Sequence, residues 1–121
     1  MISQIIDVTD QYNATQAVKI DVSLWQNITV HIVGGFEDTG MNFYGSNDSG
    51  VVNGVSDGGP SMSLNYQPIR VTNLSDGTQS STMPGAGLYS SQVFTKYVSL
   101  NGAAFADPTT SKVIVFLNKP Y

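Results

Sequence analysis

At 121 residues the chain has the usual length of one domain and can bury a core without disulfides or a structural metal, so no second domain is expected. Apolar residues make up 40% and charged residues only 12%, which excludes a disordered chain and leaves Ser, Thr, Asn, Gln and Gly to build the polar surface. The net charge of −4, with Lys19, Arg70, Lys96, Lys112 and Lys119 as the only Lys or Arg side chains, opposes binding to phosphate backbones and excludes nucleic acid as a partner.

Cysteine is absent, so the fold is expected to use neither disulfides nor thiolate metal sites. The opening MISQIIDVTD lacks a basic start and a sustained apolar stretch, and the longest apolar run, residues 113–117, is far too short to span a bilayer. Neither a signal peptide nor a membrane segment is expected.

In chain order, the first segment sets Ile5 and Ile6 side by side, which breaks the rule of one wet face. Residues 1–8 are therefore expected either as an N-terminal arm lying on a neighbouring subunit, with Ile2, Ile5, Ile6 and Val8 as partner contacts, or as the first edge strand of the chain's own sandwich. QYNATQAV is the nearest approach to a helix and is under three turns. AVKIDVSL alternates Val18, Ile20, Val22 and Leu24 with Lys19, Asp21 and Ser23, the pattern of a strand with one wet face. NITVHIV repeats it with Ile28, Val30 and Ile32, and the short link around Trp25 predicts that the two strands are antiparallel neighbours. Trp25, the largest apolar side chain, is expected to be buried and to anchor the core.

Gly34-Gly35 ends that strand. MNFYGS is the next, closed by a turn at residues 47–50. Residues 51–55 read as a weak strand interrupted by Gly54, and residues 57–60 as a break. SMSLNYQ and PIRVTNL follow, with Pro68 confined to an edge, a bulge or their boundary because it donates no ladder hydrogen bond. Residues 75–87, SDGTQSSTMPGAG, have the composition of the longest exposed loop. QVFTKYVSL is a strand, and KVIVFLN is apolar on both faces, as for a central strand or one covered by a partner. The count is about seven or eight strands with closely spaced turn signals, which predicts an all-β antiparallel sandwich, jelly-roll or immunoglobulin-like.

The chemistry-bearing residues do not assemble into a known catalytic pattern. His31 is the single histidine and sits mid-strand opposite the apolar face, with no carboxylate or cysteine at ligand spacing. GxSxG is absent and any serine triad would have to use that one histidine. Asp48 and Asp57, with Asp38, Asp76 and Asp107 in other loops, could supply oxygen ligands to calcium, yet EF-hand spacing is missing and such Asn/Asp/Gly clusters are ordinary turns. Glu37 and Asp38 are adjacent, so strand geometry would point them apart instead of pairing them across a glycosidic bond. Gly34-Gly35 and Gly58-Gly59 lack phosphate-loop spacing. Trp25, Tyr44, Tyr66, Tyr89, Tyr97 and Tyr121 could form a sugar-stacking platform or serve as core. No catalytic residue, cofactor or metal site is expected.

The stretch from Trp25 through NITVHIVGGFEDTGMNFYGSNDSG resembles a pattern in small virion proteins of tailed bacteriophages: a tryptophan, a TVxVxG-like strand, a glycine-bearing turn, an aromatic strand and a closing SNDG. Gln67-Pro68-Ile69, Thr72-Asn73-Leu74, Gly87-Leu88-Tyr89 and Lys96-Tyr97-Val98 fit the same pattern, while Ser49 between Asp48 and Gly50 departs from it. The family comprises head decoration or auxiliary capsid proteins and related head-fibre and tail domains. The resemblance implies a non-enzymatic β-sandwich of the virion, assembled in the host cytoplasm, that binds the major capsid protein or other virion proteins and self-associates there. The rival reading is a carbohydrate- or receptor-binding module of a tail or fibre.

Overall fold

The computed structural model describes residues 2–12, 17–47 and 66–120. Outside them lie the expected strand at 51–55, the break at 57–60, most of SMSLNYQ, part of QYNATQAV, the candidate ligands Asp48 and Asp57, and Tyr121. Among the described residues there is no helix, and eleven strands form two antiparallel sheets. They are β1 Ile2–Asp7, β2 Val18–Asp21, β3 Asn27–Val33, β4 Met41–Ser46, β5 Gln67–Pro68, β6 Val71–Asn73, β7 Gln79–Ser80, β8 Thr82–Met83, β9 Gly87–Gln92, β10 Tyr97–Gly102 and β11 Lys112–Lys119. One sheet runs β1-β11-β3-β9-β6-β7; the other runs β2-β10-β4-β5, with β8 also paired to β4. The all-β sandwich expected from the alternation is the observed fold.

Period-two burial builds the core between the sheets. Ile28, Val30 and Ile32 of β3, Val113, Val115 and Leu117 of β11 and Tyr89 of β9 meet Phe43, Met41, Val98, Leu100 and Val18 of the other sheet, all buried. At one end Phe36 and Phe105 pair through an isolated bridge, with ring centroids 5.5 Å apart. Tyr12 packs 5.4 Å from Phe105 and donates its hydroxyl to Ala103 O at 2.6 Å. Burial pushes the Tyr12 hydroxyl above the usual phenol range.

Several sequence expectations need correction. The β2 and β3 strands are not neighbours: β2 pairs with β10, and β3 lies in the other sheet between β11 and β9. Asp21 breaks the run by accepting hydrogen bonds from Ser23 N (2.9 Å) and Oγ (2.7 Å), a turn that competes with the strand ladder. The alternation therefore stops early, and Leu24 is 77% exposed. Trp25 is only half-buried against the core.

QVFTKYVSL is not one strand either. The β9 strand ends at Gln92 and β10 begins at Tyr97, and Phe94 in the link is 65% exposed. The expected loop at residues 75–87 instead contains β7 and β8. Gly77, at φ 77°, closes the β6–β7 turn by donating to Asn73 O at 2.8 Å, and Met83 is fully buried. Two-residue strands carry no period to read, which is why the sequence count is short.

At the N-terminus β1 lies along β11 from Ile2↔Lys119 to Asp7↔Ile114, so it is the edge strand of its own sheet and not a detached arm. Gly34, expected to end β3, does so at φ 96°. A Cβ there would collide with the Ser111 side chain.

Candidate functional site

The apolar faces of β11 are divided between two environments. Val113, Val115 and Leu117 are buried, while Ile114 and Phe116 point away from the core and are half-buried on the outer face of the six-stranded sheet. Strand register extends that face across the whole sheet. One row runs Ile5, Phe116, Thr29, Ser90, Thr72, Gln79, one residue from each strand. The next runs Asp7, Ile114, His31, Leu88 and reaches Leu74, whose N–H donates to Leu88 O at 2.9 Å. Beyond it Lys112 faces Val33. On the other side of the first row stand Ser3, Asn118, Asn27 and Gln92, with Asn27 Nδ2 donating to Asn118 Oδ1 at 3.1 Å.

This surface is graded: an amide-rich border, then Ile5, Phe116 and Ile114 on one side and Leu88 and Leu74 on the other, with Thr29, His31 and Ser90 between them and Val33 beyond His31. Ile5 is 69% exposed, and Leu74, Leu88 and Val33 are exposed as well. Among the strand residues that the register places on this face, Asp7 and Lys112 are the ones with a formal charge, both near one corner. An exposed sheet face so poor in charge has the composition of an interface centre.

Of the partner contacts expected from sequence, only Ile5 lies on this face. Ile2 is 59% exposed but points to the core side, in register with Lys119. Ile6 is half-buried against the core. Val8 is fully buried and donates its N–H to Val113 O at 3.0 Å, so it is a core residue and not a contact. Sequence reasoning missed Leu88, Leu74 and Val33, because their adjacency arises from register between strands distant in sequence.

Among the described residues, the catalytic and metal candidates lie in separate elements. His31 is exposed on the outer face between Ile114 and Leu88. Glu37 and Asp38 lie exposed in the loop after β3. Among the described residues no group of three or more His, Cys, Asp or Glu could hold a metal. Several acids instead close turns: Asp7, Asp21, Asp76 and Asp107 each accept from the Ser or Thr two residues on. These bonds stabilise the ionised form and hold all four carboxyls below their ordinary value. Asn73 makes the equivalent turn with Ser75.

Among the described residues the candidate aromatics are divided between the core and the surface. Tyr66 and Tyr89 are buried, and Tyr44 and Tyr97 lie on the outer face of the other sheet. A cleft of about 270 Å³ is lined by Val71, Asn73, Asp76, Thr78, Thr82 and Tyr89, among others. Asp76 Oδ1 and Asn73 Oδ1 are engaged in the turns just described, and Tyr89 uses its hydroxyl on Gly85 O at 2.8 Å.

No protein-family model matches the chain, and no curated protein matches it in sequence. Among solved structures, the fold is similar to that of the SPBc2 prophage-derived protein YomS, with a TM-score of 0.63, 14% identity, and coverage of 97% of this chain and 95% of YomS. At that identity the likeness is one of fold.

Proposed function

We propose that the chain is a non-enzymatic, phage-associated structural protein, a capsid decoration or auxiliary protein, that docks on the major capsid protein or another virion protein through the outer face of its six-stranded sheet. The observation that carries this reading is the scarcity of charge on that face, together with the exposed or half-exposed Ile5, Phe116, Ile114, Leu88 and Leu74. The fold shared with a prophage-derived protein and the virion-protein pattern around Trp25 support the phage association. Six strands at about 4.8 Å spacing span roughly 25 Å, so the face offers on the order of 500 Å², less than the roughly 800 Å² per partner of a stable standard complex. A single contact of that size is weak, and it suits a protein present in many copies on a repeating lattice.

The rival reading, a carbohydrate- or receptor-binding module of a tail or fibre, draws on the hydroxyl-lined cleft between β6, β8 and β9. That cleft lacks an exposed aromatic for stacking, since Tyr89 is buried. Antibody to the chain, applied to purified particles of the virus that encodes it, tests the proposal. Labelling of the head is the expected result. Absence from particles refutes the virion role, and tail-tip labelling with a positive glycan array transfers the assignment to the rival.

A further inference from the structure

The edge strands of the two sheets are not equally protected. The edge strands β5 and β7 are two residues each, β5 includes Pro68, and β2 alternates Lys19 and Asp21 along its four residues. Short length, proline and charge are the usual devices that keep an edge from pairing with another chain. The remaining edge, β1, has six residues, ISQIID, with no lysine, no proline and one charge at its end.

Val8 N–H bonds Val113 O, which fixes the parity of the β1–β11 ladder: the even residues Ile2, Gln4 and Ile6 turn their backbone groups to β11. The odd residues Ser3, Ile5 and Asp7 turn theirs outward. No described strand lies on that side.

From this we infer that β1 is a self-pairing edge, joining antiparallel to β1 of a second copy about a two-fold axis through Ile5, so that the two six-stranded sheets become continuous. The register follows from the free groups. With the axis at Ile5, Ile5 faces its own mate and Ser3 faces Asp7 of the second copy twice over, three outward-bonding pairs that exchange about six hydrogen bonds. An axis at Gln4 or Ile6 leaves only two such pairs, and an axis at Asp7 sets like charges directly opposite, which is unfavourable. The Ile5 axis also brings together apolar side chains of the two outer faces, running Phe116, Ile5, Ile5, Phe116 across the junction. This pairing does not depend on the virion assignment, because it concerns the isolated protein.

The test is sedimentation of the purified protein from about 1 μM to 1 mM, with Ile5→Pro and Ile5→Lys. Proline at an outward-facing edge position removes an unused N–H and is compatible with the monomer's sheet. It deletes two of the pairing bonds by symmetry, weakening association by about thirtyfold. Lysine at an exposed site leaves the monomer folded and sets two ammonium groups face to face, which decides the matter should the proline variant misfold.

The expected result is a concentration-dependent wild-type dimer, strengthened by salt because each copy carries −4, and a monomeric Ile5→Lys. For register, Ile5→Cys in this cysteine-free chain should oxidise to a disulfide-linked dimer, since Cα atoms about 5.5 Å apart are within disulfide reach. Leu24→Cys, exposed elsewhere, should not. A wild type that stays monomeric throughout, an Ile5→Lys that dimerises equally well, or a dimer dissolved by salt overturns the inference.

Discussion

Two neighbouring residues of β11 should respond to truncation in opposite ways. Leu117 is 1% exposed in the core, and Leu→Ala at such a site costs about 3 kcal/mol, the lost transfer free energy plus the cavity left behind. For 121 residues, 1 kcal/mol corresponds to about 4 °C in Tm, so Leu117→Ala should lower Tm by about 12 °C. Phe116 is the larger side chain, yet it is half-buried on the outer face beside Ile5 and Thr29. Its truncation leaves no enclosed cavity, and the expected cost is about 1 kcal/mol, or about 4 °C.

Thermal denaturation followed by far-ultraviolet circular dichroism measures both, and attachment to purified particles measures the proposed function. Phe116→Ala should keep most of its stability and lose attachment. Leu117→Ala, assayed well below its Tm, should retain attachment. Equal destabilisation by the two variants would mean that the outer face is part of the chain's own packing, and the interaction surface would have to be abandoned.

Other outcomes follow from the same structure. The four turn-closing aspartates are held below the ordinary carboxylate value of 3.8; a depressed folded-state pKa gives stability that is present above the unfolded value and lost as pH falls through the folded one. Denaturant midpoints should therefore drop below about pH 4, and a midpoint flat to pH 2 would contradict those turns. Tyr12 has the reverse sign: its raised pKa means that stability declines as pH rises above 10, and Tyr12→Phe should remove that decline at a cost of about 1 kcal/mol from the lost bond to Ala103 O. Trp25→Ala should cost about 2 kcal/mol, not the 3 to 5 of a fully buried tryptophan, with native fluorescence between buried and free values. Chelation should leave Tm unchanged; a fall with EDTA that calcium restores would reveal a metal site.

The fold was readable where a residue's neighbours along the strand decide its environment. The alternation in NITVHIV specified the buried Ile28, Val30 and Ile32 and the outward His31, and KVIVFLN specified a strand that is buried on one side and still apolar on the other. It failed where turn chemistry overrode period. Asp21 and Ser23 end β2 although Val22 and Leu24 continue the apolar pattern, so an eight-residue strand in the sequence becomes four residues and a crossing to the other sheet. Asp-x-Ser/Thr and Asn-x-Ser recur at residues 7, 21, 73, 76 and 107, each forming the same side-chain turn. That repeated spacing was the available signal for where strands end.

The proposed interaction surface is a different kind of quantity, because it depends on register between segments far apart in sequence. Sequence alone identified that residues 113–117 carry more apolar surface than one core face needs. It could not say that Ile114 would be joined by Leu88 through His31, or that Leu74 would extend the same row, since a one-residue slip of β9 would send Leu88 inward and Tyr89 outward. Tyr89 fixes the register. Its ring is buried and its hydroxyl bonds Gly85 O, so β9 must turn Leu88 to the outside. The exposed row is thus a consequence of core packing one residue away, and Tyr89→Phe, which keeps the ring, should preserve it, whereas a charged residue at 89 should disrupt the fold and the surface together.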